Sequence, residues 1–186
     1  MKKLKKRRTA RTVAVLVVVL GTILGMNLSV SRAGKAVEAQ FYDGVYLADK
    51  NYTEASIDSQ LTKSAKAAAQ LVTAANNYGE VKAEREALNK AKNELLGAKT
   101  IAEKSYANSI LCDRYAALLS KLETKALDGQ ETAILESSTA AFEGAQGVIA
   151  RSAYNAQVHE FTQDDLGRFP INLLKVLIFV GMPDQF

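Results

Sequence analysis

Between Val13 and Val30 the chain runs VAVLVVVLGTILGMNLSV, eighteen residues without a charge, with Thr22, Asn27 and Ser29 as its polar interruptions. As a helix rising 1.5 Å per residue it covers about 27 Å, close to the hydrocarbon thickness of a bilayer. Lys2, Lys3, Lys5, Lys6, Arg7, Arg8 and Arg11 stand immediately before it. A helix buried in a soluble core has no use for such a cationic head. The sequence therefore divides into a basic cytoplasmic tail over 1–12, a transmembrane helix over 13–30 and a helical domain over 31–186. A secretory signal is the rival reading: it shares the basic start and apolar centre, and Ser31, Arg32 and Ala33 offer a small-x-small cleavage site. The apolar core of such a signal runs about 7 to 15 residues, shorter than this one, which favours an uncleaved anchor. Lys and Arg are retained on the cytoplasmic side, and seven precede the span against Arg32 and Lys35 soon after it. The expected product is a single-pass protein of the cell membrane, amino end inside and carboxyl domain extracytoplasmic.

The formal charge of +4 belongs to that head. With seven of the 24 basic residues confined to the first eleven positions, the remaining 17 face 20 acidic ones, a net of −3. A nucleic-acid-binding domain carries its basic surface on the folded part, so the expectation is no nucleic-acid partner. The one cysteine, Cys112, cannot close an internal disulfide and reads as a small packed hydrophobe.

Both prolines, Pro170 and Pro183, lie near the carboxyl end, and Ala, Leu, Lys, Glu and Gln dominate what precedes them. This predicts an all-α body. Turn residues cluster at Asn76 to Gly79 and at Asp128 to Gln130, which leaves three long segments. The first runs from Lys35 to Ala75 with a bend near Asp49 to Tyr52, the second from Glu80 to Leu127, and the third from Thr132 to Thr162. Leu88, Ala91, Leu95, Ala98 and Ala102 align on one face of the second, while Tyr154, Val158 and Phe161 share a stripe on the third. Short turns between such helices predict an antiparallel up-and-down bundle. A coiled-coil rod competes with it, but the heptad is not sustained past Ala102. Beyond Pro170, Ile171 to Val180 is too short to span a bilayer and reads as a short amphipathic carboxyl-terminal helix that caps the bundle or rests on the membrane surface.

Residues able to carry chemistry do not converge. His159 neighbours Glu160, but adjacent helical residues point about 100° apart. The Glu-x-x-His pairs of di-iron bundles are missing, because Ala156 stands three before the only histidine. The serines lack a Gly-x-Ser-x-Gly context, and Gly144-Ala-Gln-Gly147 lacks the Lys-Ser/Thr of a phosphate-binding loop, so its glycines read as a site of close packing or a bend. Asn51-Tyr52-Thr53 matches a glycosylation sequon by a pattern short enough to arise by chance. The expectation is no enzyme activity, no catalytic residue, no cofactor and no metal.

One set of residues carries a resemblance. Tyr154-Asn155 with Val158 and Phe161, followed by Phe169-Pro170, Asn172-Leu173 and then Phe179 and Gly181, resembles the terminal signature of the LemA family. Gln60-Leu61 and the Asn77-Tyr78-Gly79-Glu80 turn are similar to the family's upstream pattern, whereas Thr62-Lys63 stands where family members commonly have paired arginines. The resemblance implies an amino-terminal membrane helix and an antiparallel helical bundle, with these residues in a structural role and no settled activity. Together the readings predict a membrane-anchored scaffold or adaptor whose partners are the membrane and other envelope proteins. The alternative is a carrier of a small molecule or lipid in an apolar cavity of the bundle.

Overall fold

The computed structural model describes residues 2–166 and 183–186. Helix α1 spans Lys2–Asp43, and a two-stranded antiparallel hairpin follows, β1 (Tyr46–Leu47) against β2 (Tyr52–Thr53), with Tyr46 opposite Thr53 and Leu47 opposite Tyr52. Helices α2 (Ile57–Ala74), α3 (Lys82–Gly97), α4 (Ile101–Leu122), α5 (Gly129–Arg151) and α6 (Tyr154–Glu160) complete the order, and one turn of π-helix covers Phe161–Asp165. The chain divides into two compact units, one of Met1–Glu38 with Ala156–Pro183, the other of Ala39–Asn155 with Asp184–Phe186.

Thr12–Asp43 contains the stretch of α1 apolar enough to cross a membrane, with a mean hydropathy of 2.4 in its best window, of which 6% is buried. A core helix hides such a surface; Val15, Val17, Val18 and Leu24 instead stand more than 60% exposed. Two of the polar interruptions bond back to their own helix: Thr22 Oγ1 donates to the Val18 carbonyl at 2.9 Å and Asn27 Nδ2 to that of Ile23 at 3.1 Å. Satisfied in this way, they add little to the cost of an apolar surrounding. Val30, Phe161 and Leu166 form a small cluster against which Ala33 and Val37 pack.

The second unit holds the bundle. Helix α2 packs on α5 and on α3, and α3 packs on α4. The directions follow from the side chains that meet. Ser64 of α2 and Asn108 of α4 both reach Gln146 of α5, while Asn77 just past α2 reaches Glu131 at the start of α5, so α2 and α5 run antiparallel. Lys121 near the end of α4 pairs with Glu84 near the start of α3. Lys104 and Asp58 join the starts of α4 and α2. This is the expected up-and-down arrangement. Leu71, Leu88, Leu111, Leu118 and Leu122 are wholly buried, and the Tyr115 and Phe142 rings stack at 3.9 Å between α4 and α5. Burying each such side chain stabilises by about 1.5 to 3 kcal/mol relative to exposure.

All three expected segments are interrupted, the one from Thr132 to Thr162 at Ser152, which leaves α5 with extended backbone before α6 begins. The segment from Glu80 to Leu127 is a hairpin of α3 and α4, because Ala98 leaves the helix with extended backbone and Thr100 starts the next. Thr100 Oγ1 accepts from the Glu103 N–H at 3.1 Å and Glu103 Oε2 accepts from that of Thr100 at 3.1 Å, a reciprocal cap. Leu88, Ala91 and Leu95 are buried as the periodicity predicts, whereas Ala102 is exposed past the turn. The segment from Lys35 to Ala75 is likewise two helices separated by the hairpin. Gly44 ends α1 at φ +92°, and Asn51 occupies the left-handed region at φ 48° in the turn, where its Oδ1 accepts from the Tyr46 hydroxyl at 2.8 Å. The glycine pair in α5 is not a close approach, since a Cβ at Gly144 meets nothing within 4 Å and one at Gly147 meets only the Arg151 side chain, at 3.8 Å. The expected helix over Ile171 to Val180 lies outside the described residues.

Candidate functional site

The two ends of the bundle carry different side-chain clusters. Where α2 finishes and α5 begins, Glu131 is the node. Asp128 caps α5 by accepting from the Glu131 N–H at 2.7 Å, and the Glu131 carboxylate accepts from the Asp128 N–H at 3.1 Å. The same carboxylate accepts from Asn77 Nδ2 at 2.9 Å and from the Tyr78 hydroxyl. The Asn77–Tyr78 turn is thereby fastened to a helix more than fifty residues away in sequence. The Tyr78 hydroxyl, then the Asn77 amide and the Asp128 N–H, hold the Glu131 carboxyl below the usual carboxylate range. The bond to Glu131, followed by burial and the negative charges of Glu131 and Asp128, pushes Tyr78 up to about 12.

These shifts set the pH limits of the contact. Glu131, lowered in the fold, contributes stability above its unfolded pKa of about 4.3 and loses it as pH falls through the folded value. Tyr78, raised in the fold, contributes fully below its ordinary value of 10.0 and loses that contribution as pH rises towards 12. Tyr78→Phe should therefore melt below wild type at neutral pH, with the gap narrowing as pH rises from 10. Paired thermal melts across pH check this; a gap constant across the alkaline range contradicts the contact.

Between the ends, a polar relay crosses the interior. Gln146 Nε2 donates to Ser64 Oγ at 3.0 Å and to Asn108 Oδ1 at 2.9 Å, and Asn108 Nδ2 donates back to Gln146 Oε1 at 3.1 Å. Ser64 is wholly buried and Asn108 nearly so. Each group satisfies another, and a shift in helix register would leave buried amides unpaired at about 1 to 3 kcal/mol each. The relay aligns α2, α4 and α5.

At the other end, where α2 and α4 begin and α5 finishes, aromatic residues gather. Phe41, from the last turn of α1, is wholly buried and meets Tyr42 at 5.0 Å, Tyr154 at 5.6 Å and Phe186 at 5.6 Å between ring centroids. Lys104 Nζ lies 5.8 Å from the Phe41 ring centre and 5.3 Å from that of Tyr42, and pairs with Asp58 in the first turn of α2. A cation over aromatic faces beside a carboxylate is a satisfied arrangement. Glu54 Oε2 accepts from the Ala153 N–H at 3.0 Å, which ties the hairpin exit to the α5–α6 junction.

The residues of the terminal signature separate by role. Tyr154 is wholly buried in the second unit, with its hydroxyl donating to the Asp184 carbonyl at 2.8 Å. Asn155 is exposed there and exchanges two hydrogen bonds with the main chain of Phe186. Val158 and Phe161 are buried in the first unit. Phe169, Pro170, Asn172, Leu173, Phe179 and Gly181 lie outside the described residues. His159 is exposed in the last turn of α6. Cys112 is half-buried, and burial, then the Asp113 carboxylate, push its thiol pKa up, against nucleophilic use at neutral pH. Among the described residues no group of three or more His, Cys, Asp or Glu side chains is placed to hold a metal ion.

A groove of about 1070 Å³ between α3 and α4, lined by Ala91, Ala98, Ala107 and Ile110 together with Lys90, Glu94, Glu103 and Arg114, opens to solvent. Sequence reasoning missed the Lys104–Asp58 pair, the Phe41 cluster and the Glu131 node. The Asp128-x-x-Glu131 spacing signalled the cap, but no local pattern signalled its long-range partners. What the chain contains is thus a helical bundle with an amino-terminal helix long and apolar enough to cross a membrane; no family model, no curated protein and no solved structure matches it.

Proposed function

We propose that the chain is a single-pass envelope protein of LemA type whose helical bundle, outside the membrane, acts as a scaffold or adaptor for other envelope proteins without catalysis. The anchor rests on the exposed apolar face of α1 behind seven cations, and the orientation on the excess of those cations over Arg32 and Lys35. The LemA resemblance rests on the sequence signature, of which Tyr154, Val158 and Phe161 are buried within their own units.

The observation that carries the adaptor reading is the exposed aromatic surface of the bundle unit. Tyr42, Tyr46, Tyr52 and Tyr106 stand 44%, 60%, 57% and 71% exposed, while the Ser64, Asn108 and Gln146 side chains of the interior are engaged with one another. Tyrosine is the side chain enriched where protein surfaces meet, offering rigid apolar area with a polar tip. Photo-crosslinking from positions 46, 52 and 106 in intact cells should capture discrete membrane-associated products. A purified protein that turns over a substrate, together with no reproducible crosslink, overturns the reading. The carrier reading draws on the α3–α4 groove, and native mass spectrometry of the detergent-purified chain checks it through a bound small molecule that Ala98→Trp, at a half-buried lining position, displaces.

A further inference from the structure

The Asp184–Phe186 segment is held by contacts that another chain could make equally well. Asn155 Nδ2 donates to the Phe186 carbonyl at 2.6 Å, and the Phe186 N–H donates to Asn155 Oδ1 at 2.9 Å. One side-chain amide thereby pairs with both main-chain groups of one residue, as a neighbouring β-strand would. Tyr154 donates to the Asp184 carbonyl at 2.8 Å, and the Phe186 ring packs on Phe41 at 5.6 Å. These contacts use the main chain at two positions and a single ring, and the Asp184 and Gln185 side chains are exposed. Phe41 and Tyr154 are fully buried, whereas Asn155 stands in solvent, so the polar half of the contact opens outward.

We propose that Phe41, Tyr154 and Asn155 form a receptor for an extended peptide segment bearing an aromatic residue, that Asp184–Phe186 is its resident occupant, and that a segment of the same chemistry from an envelope partner displaces it. The main-chain bonds select an extended backbone. The ring contact with Phe41 selects the aromatic residue two positions after the residue whose carbonyl Tyr154 holds. A resident segment lowers the apparent affinity of any competitor by the fraction of time the site is free, which keeps the receptor closed until a partner is abundant or tethered nearby. This deepens the adaptor reading and rests on it, but the titration below reports on the pocket alone, and its failure leaves the crosslinking experiment intact.

The test uses the full chain in detergent micelles and a fluorescein-labelled peptide of the sequence Pro-Asp-Gln-Phe, amidated at its carboxyl end, followed by fluorescence anisotropy. Binding to wild type should be weak, at least about tenfold tighter to the Phe186→Ala chain, whose own segment competes poorly, and lost again in Phe186→Ala with Asn155→Ala. In an otherwise unaltered chain carrying 4-fluorophenylalanine at position 186, excess peptide should move the fluorine resonance saturably from a docked to a free shift. No binding to Phe186→Ala, binding indifferent to Asn155→Ala, or an unmoved fluorine signal each overturns the proposal.

Discussion

Replacing Leu20 and Leu24 together by Asp should shift the chain from the carbonate-resistant membrane pellet to the soluble or degraded fraction. Both positions lie near the middle of the apolar stretch, 54% and 64% exposed. They are four residues apart, on one face of α1. Each carboxylate placed at the centre of a spanning helix costs about 2.5 to 3.5 kcal/mol and removes a favourable leucine, so the pair costs about 6 kcal/mol or more. That exceeds what the apolar run can offset once four of its exposed methyl groups are gone. The control is Leu96→Asp, an equally exposed leucine of the bundle at 58%, which should leave fractionation unchanged. Retention of the double variant in the pellet at the wild-type level would contradict an anchor in α1.

Gly44→Ala should be the most damaging single-atom-scale change in the bundle unit. At φ +92° any L side chain is strained, and the added Cβ would sit 2.0 Å from the Glu54 carbonyl oxygen, a main-chain atom that cannot rotate aside. The same stretch is fixed on both sides: the Gly44 N–H donates to the Gln40 carbonyl, and the Val45 carbonyl accepts from the Glu54 N–H, each at 2.9 Å. Val45 is buried, so the chain cannot relieve the clash by swinging out. Left-handed strain and forced backbone movement together cost about 3 kcal/mol. For a chain of this size that lowers the melting temperature by roughly 6 to 12 °C. Gly79→Ala is the matched comparison, because its Cβ meets nothing within 4 Å, and it should melt close to wild type. A Gly44→Ala protein melting beside the Gly79→Ala one would mean that α1 does not end as described.

The bundle was legible in the sequence where local chemistry and periodicity agree. Asn76 to Gly79 falls between α2 and α3, Asp128 caps α5 at the end of the α4–α5 connection, although Gly129 and Gln130 are already helical, and Tyr154, Val158 and Phe161 are buried as their spacing predicts. The α3–α4 turn was not read, although Gly97 followed by Thr100-x-x-Glu103 carries its signal, because the alanines on both sides preserve an apolar period that hides the break. Periodicity reports which residues face the core and is blind to whether the helix between them is continuous. The hairpin after α1 depends on Gly44 and Asn51 adopting positive φ, a possibility that each residue type allows but does not announce. The aromatic end of the bundle was the least legible part. Phe41 and Phe186 lie 145 positions apart, and Asn155 meets the Phe186 main chain only when the fold delivers it. Lys104 carries no local pattern that announces Asp58, Phe41 and Tyr42 around it.

The central claim, a permanent tether that leaves the bundle outside the cytoplasm, is tested most directly by treating spheroplasts with protease and sequencing the amino end of the mature protein. The account predicts that external protease removes the bundle while the basic head before Val13 survives uncut on the inside. A bundle protected until the membrane is broken, or a mature chain that begins after Ala33, would contradict it.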